Sequence, residues 1–198
     1  GVVVLLGIFF AFSLESVVHG LEIFWKVSSM MAVAFWAGLF WRGATAAGAW
    51  AGTLAAFAVL LFTGEVELFG WMLWDFNQTV APHLPASMVF EGALYLPWQM
   101  IFYTVAGLVT LVGVSLFTRR EDEAKLDKFY ECVRTPIQGA EPETEPFTLP
   151  PGVTPAPRNV LVQHRDFEIP VPSALTVIGF LATWVAVGVL IGVFFWIF

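Results

Sequence analysis

From Ser173 to Phe198 the chain carries no charged residue, and this limits the possible folds more than any other feature. A helix needs roughly 20 predominantly apolar residues to cross a hydrocarbon core, and this run is long enough to cross with some tilt. A transmembrane helix is therefore predicted over 174–198. The stretch Phe35–Gly52 makes the same case at a helix end. One apolar run closes on Phe40-Trp41, Arg42 follows, and a small-residue turn leads at once into a second apolar run. An indole settles at headgroup level with the cation in water beyond it, and so short a turn makes the flanking helices antiparallel neighbours. Gly43, Gly48 and Gly52, with alanines between them, let helix backbones approach closely, which is how helices associate in lipid. A soluble hairpin would need polar faces on both helices, and neither has one.

Composition agrees. Apolar residues make up 58% and charged residues 13% of the 198, against about 25% charged in a soluble domain, and the mean hydropathy is +0.78. A net charge of -7 leaves no basic patch to neutralise phosphates, which argues against nucleic acid as a partner. The single cysteine, Cys132, rules out a disulfide framework and a Cys-rich metal site. The chain opens on Gly1 and is apolar from there, without the positive region that begins a signal peptide. The expectation is the C-terminal piece of a longer membrane protein.

Taken in order, an all-α membrane fold of about five transmembrane helices is predicted. The first covers about 1–14, short of a full span. A connector over 15–22 holds Glu15, His19 and Glu22. The second helix covers about 23–41, with Lys26 in its first turn where it can snorkel, and the third about 44–62. A polar-aromatic loop over 63–92 follows, its Phe69–Trp74 piece lying in the interface because six residues cannot span. The fourth helix, about 93–117, tolerates Pro97 in its first turn and stops at Arg119-Arg120. Residues 118–173 are the soluble segment. Within it 121–133 form an amphipathic helix, with Leu126, Phe129, Tyr130 and Val133 at helical spacing. A Pro-rich linker, extended and mobile by composition, comes next, with a strand-like piece over 159–162.

Charge placement sets the sidedness. The turn at Arg42 and the 118–173 segment share one side, which holds Arg42, Arg119, Arg120, Lys125, Lys128, Arg134, Arg158 and Arg165. The opposite side holds Lys26 among Glu15, Glu22, Glu65, Glu67, Asp75 and Glu91. By the positive-inside rule the first side is cytoplasmic and the C-terminus lies outside.

Ionisable groups within a span are functional-site candidates by default, and few occur here. Glu22 and Lys26 sit at i, i+4 and form a salt bridge, with a solute-binding role as the sharper alternative. Ser28 and Ser29 can offer hydroxyls to an ion or solute, or bond the carbonyl one turn back. Gln99 is one more polar candidate, with a packing role as its alternative. His19, His83 and His164 fall in connectors, so the facing pair that a bundle haem needs does not form. No phosphate-cradling loop, metal-ligand cluster or activated nucleophile is present in the sequence, and an enzyme is not expected.

Two stretches resemble the sodium/solute symporter family. The first is Ala32–Ala49, an apolar "AVF-GLFW" helix end, a basic turn and a small-residue helix start. The second is Leu116–Arg119 through Leu126–Tyr130 and Val133–Pro136, which is similar to the cytoplasmic segment after the family's penultimate helix. The resemblance covers about residues 1–136. It implies an inverted repeat of two five-helix units that hold solute and sodium at broken helices near the midplane. The first two helices here would then close the second repeat and the others would be peripheral. Most sodium ligands would lie upstream, with no metal site in this chain and no covalent cofactor. Sugar-transporting members carry a Gln near the start of the equivalent second helix, where a gapless match places Leu21 and Glu22.

The functional expectation is sodium-coupled symport of a small organic solute (a sugar, amino acid or carboxylate) across a bacterial inner membrane by alternating access. Glu22, Ser28 and Ser29 are the substrate-binding candidates. The partners would be the bilayer, the solute and the remaining N-terminal helices. The competing expectation is a non-transporting structural or sensory subunit whose glycine-rich helices pack against partners.

Overall fold

The computed structural model describes residues 1–13, 16–68, 71–136 and 145–197. It is mostly helical and divides into two units, Gly1–Leu126 and Asp127–Phe198.

The first unit opens with α1 (Val2–Ser13), α2 (Val17–Phe40) and α3 (Ala46–Phe62). α2 begins at Val17, so residues 17–22 are helix and not the expected connector. The Glu22–Lys26 pair, 2.7 Å apart at i, i+4, supports helix through the polar residues that prompted a boundary there. Lys26 therefore lies well inside α2 instead of in its first turn. α3 starts where Thr45, extended at φ -115° and ψ 156°, accepts a hydrogen bond on its side chain from the Gly48 N–H at 3.1 Å, the arrangement of an N-cap.

The loop over 63–92 carries more order than its composition foretold. β1 (Glu65–Leu68) and β2 (Trp71–Asp75) pair antiparallel, with an irregularity that leaves Leu73 without a partner across the ladder. Valine, tryptophan and leucine at these positions favour a pleated strand once a second strand is beside them. Phe69 and Gly70, part of the piece expected to lie in the interface, fall outside the described residues. The Asp75 carboxylate accepts from the N–H groups of Asn77 and Gln78 at 2.8 and 3.1 Å and so caps the single turn α4 (Phe76–Thr79). Two 3-10 turns, Ala81–His83 and Ala86–Met88, lead to β3 (Val89–Phe90) and β4 (Ala93–Leu94). The turn between them sets both Glu91 and Gly92 at positive φ, 51° and 83°, as a two-residue hairpin connection requires. Asn77 pins the region, donating to the Glu65 carboxylate at 3.1 Å and accepting from the Leu94 N–H at 3.2 Å.

α5 (Leu96–Phe117) carries Pro97 in its first turn, and α3 and α5 form the tight pair of this unit. Gly48, Gly52 and Ala56 are the buried residues of α3. Gln99, Tyr103, Gly107, Leu111 and Ser115, each four residues after the last, are buried on α5. A Cβ on Gly52 would lie 2.7 Å from the Gly107 carbonyl oxygen, and one on Gly48 would lie 2.8 Å from that of Leu111. Backbones this close exclude any side chain larger than hydrogen. Gly43 serves differently, in the turn with the Trp41 ring against it. α6 (Glu123–Arg134) is the expected amphipathic helix, with Asp122 accepting from the Ala124 N–H at 3.1 Å.

In the second unit the segment expected to be a mobile linker is held in place over its described part. Arg158 donates to the Glu168 carboxylate at 3.0 Å and to the carbonyls of His164 and Phe167 at 2.7 and 2.8 Å. Arg134 donates to the Ala156 carbonyl at 3.1 Å, and the Thr135 hydroxyl accepts from the Ala156 N–H at 3.0 Å. Val160 pairs with Pro170 as an isolated antiparallel bridge, within the strand-like piece. Composition alone could not register these side-chain bonds to backbone, which fix a Pro-rich segment without a ladder. The acidic residues over 141–144 lie outside the described residues. α7 (Ala174–Ile197) closes the chain with every described residue exposed.

Among the described residues three helical stretches are long and apolar enough to cross a membrane: Gly20–Phe40, Leu96–Phe117 and Ala174–Ile197. α1, at 12 residues, reaches only about 18 Å, and α3, at 17 residues, about 25 Å. The apolar surface these helices expose has no cover but lipid or other membrane helices. This is a membrane protein.

Candidate functional site

Glu22, Ser28 and Ser29 all belong to α2. Positions 22, 26 and 29 fall on one face of a helix turning 100° per residue, and 28 lies well round from them. Ser28 is exposed. The Glu22–Lys26 ion pair retains 40% and 20% side-chain exposure, so it is partly shielded inside an otherwise apolar helix.

Ser29 already has partners. Its hydroxyl donates to the Trp25 carbonyl at 2.6 Å, the bond to the preceding turn that serines in helices form. The oxygen also lies 3.0 Å from the Tyr103 hydroxyl of α5. Tyr103 is 0% exposed and clusters with Met30 of α2 and Ala56 of α3. This is where the three helices meet.

Two further polar contacts lie along the α3–α5 seam. At the start of α5, the Gln99 side-chain amide donates to the Thr63 carbonyl at 3.2 Å and to its hydroxyl at 3.1 Å. At the other end, Ser115 accepts from the Thr45 N–H at 3.1 Å, and the hydroxyls of Thr45 and Thr118 lie 2.7 Å apart. Buried polar groups in an apolar setting must be paired, and these are. The Gln99 amide is thus bonded to the end of α3.

Between α2 and α3 an open cavity of about 330 Å³ is lined by Met31, Ala34, Ala46, Ala49, Trp50 and Thr53. The Thr53 hydroxyl turns back to the Ala49 carbonyl at 2.9 Å, so the lining is apolar. Among the described residues no three of His, Cys, Asp and Glu gather as metal ligands. His83 lies in a 3-10 turn, and His164 packs beside Phe167 with ring centroids 5.7 Å apart.

The sequence pointed to Glu22, Lys26 and Ser29 as candidates but not to the paired residues Tyr103, Thr63 and Ser115. One signal was present: positions 99, 103, 107, 111 and 115 place two polar residues, a tyrosine and a glycine on a single stripe of α5. What the stripe faced could not be read from α5 alone. Comparison with family models, curated proteins and solved structures finds no match to this chain.

Proposed function

We propose that this chain is the C-terminal part of a sodium-coupled symporter of a small organic solute. The carrying observation is the Glu22–Lys26 pair with Ser29 on one face of α2, inside a stretch long and apolar enough to span. The pair lies toward one end of that stretch, and ionisable groups within membrane spans mark ion and solute pathways. Support also comes from the residues of Ala32–Ala49, which resemble the symporter family and here form the end of α2, a tight turn and the start of α3. Glu22 is the foremost solute- or ion-facing candidate. Ser28 is a second because it is exposed, while Ser29 serves to hold α2.

In this reading α3 crosses alongside α2 and α5, and α7 makes a further crossing. The segment 118–173 is cytoplasmic and the C-terminus is outside, in a bacterial inner membrane. Helices upstream of this chain complete the sodium site, and alternating access couples downhill sodium to the solute. The glycine-packed α3–α5 pair supports a second reading, a structural or sensory subunit that packs and does not transport. Uptake of labelled sugars, amino acids and carboxylates by vesicles holding the full parent protein, with and without a sodium gradient, separates the two. Sodium-dependent uptake of one class establishes the first, and uptake of none in either condition leaves the second.

A further inference from the structure

We propose that Tyr103 is a positioning residue. Its hydroxyl donates to Ser29 and ties α2 to the α3–α5 pair, so that the three helices move as one body. For its functional consequence this rests on the transport reading, because α2 carries the candidate pathway residues.

The direction of the bond follows from proton counting. A serine has one hydroxyl proton, and that of Ser29 goes to the Trp25 carbonyl at 2.6 Å. Toward Tyr103, 3.0 Å away, Ser29 is therefore the acceptor and the phenol the donor. Tyr103 is fully buried, and Ser29 is its hydroxyl's partner among the described residues. In a membrane no water replaces a partner that moves away.

Next to this bond α2 packs through Met30, which clusters with Tyr103 and Ala56. α3 and α5 meet backbone to backbone at Gly48, Gly52 and Gly107 and form a rigid pair. Along its apolar span α2 is only 6% buried, and its other residues are half-buried or exposed. Beyond Met30 the open cavity separates Met31 and Ala34 of α2 from Ala46, Ala49 and Trp50 of α3. α2 is thus held by the short turn after Phe40, by the packing of Met30 and by the Tyr103–Ser29 bond. Glu22 and Lys26 lie on the same face of α2 as Ser29, two turns and one turn farther from that turn, so the bond helps to set their position relative to α3 and α5. The bland alternative is that the bond only fills a polar gap in packing and α2 swings independently of the pair.

The test uses the full parent protein in liposomes, with Cys132→Ser and spin labels at Phe24→Cys on α2 and Val109→Cys on α5, both exposed positions. Distances are measured by pulsed EPR in sodium chloride and in potassium chloride. The expected result is one narrow distance, the same in both salts. Tyr103→Phe, which keeps the ring and the packing, lowers the ratio of tied to displaced molecules about threefold, the average effect of an interhelical hydrogen bond in lipid. Ser29→Ala does the same, the double variant adds nothing, and Ser29→Thr restores the narrow distance. A wild-type distance that changes with sodium, or a Tyr103→Phe distribution identical to wild type, overturns the proposal. Sodium-dependent uptake is measured on the same proteoliposomes. If no solute is taken up while Tyr103→Phe still loosens α2, the tie stands and the transport reading fails.

Discussion

Replacing Gly52 by alanine adds one methyl group, and the structure states where it goes. The new Cβ would lie 2.7 Å from the Gly107 carbonyl oxygen and 2.8 Å from the Leu111 Cβ, whereas ordinary contact begins at 3.4 Å. Neither obstacle can rotate aside, because one is backbone and the other is fixed to it. α3 and α5 must therefore part locally by about 0.7 Å, and a gap of that size forfeits a quarter to a half of each dispersion contact it opens. Overpacking of this kind costs about 1–3 kcal/mol. Alanine's better helix propensity returns at most about 1 kcal/mol, so the net expectation is a loss of up to about 2 kcal/mol, and of about 1–3 kcal/mol against a control that gains the same propensity. Gly113→Ala is the matched control: it lies on the same pair of helices, and a Cβ there meets nothing within 4 Å. Reversible unfolding in mixed micelles, read by circular dichroism, measures both. Gly52→Ala as stable as Gly113→Ala would show that α3 and α5 do not meet through Gly52 and Gly107, and the argument for a rigid pair would fail.

Gln99→Leu keeps the volume but removes the amide that donates to the carbonyl and hydroxyl of Thr63. It should cost about 1 kcal/mol in the same assay, and a more stable variant would refute a holding role for Gln99. Glu168→Ala removes the carboxylate, 6% exposed, that lies 3.0 Å from Arg158 and 3.8 Å from Arg134. Because those arginines keep 34% and 24% of their side-chain exposure, screening limits the effect to about 1 kcal/mol. Amide exchange at Leu161 and Val171, which bond the carbonyls of Ile169 and Asn159, should speed up about fivefold. Unchanged exchange would mean that the ion pairs do not hold the loop.

The sequence alone determined that this is a helical membrane protein and roughly where most of its helices lie, because the oil–water partition acts on each segment separately. The uncharged run to Phe198 and the aromatic-basic end at Phe40–Arg42 specify helix and membrane without reference to any other part of the chain. The i, i+4 pairing of Glu22 with Lys26 was legible for the same reason, as an event within one helix. Tertiary structure alone decided which faces meet. Gly48 and Gly52 advertised close packing, but a small residue shows only that something approaches. That the approaching element is α5, at Gly107, depends on a stripe dozens of residues away. Tyr103 meets Ser29 for the same reason, and so do Gln99 and Thr63: a hydrogen bond between helices is a property of two surfaces, and neither surface encodes its partner. The Pro-rich segment makes the converse point. Its composition describes a chain with no ladder to form, while its order comes from Arg134, Thr135 and Arg158 supplying backbone groups with side-chain partners, an arrangement that exists only once the chain has folded back.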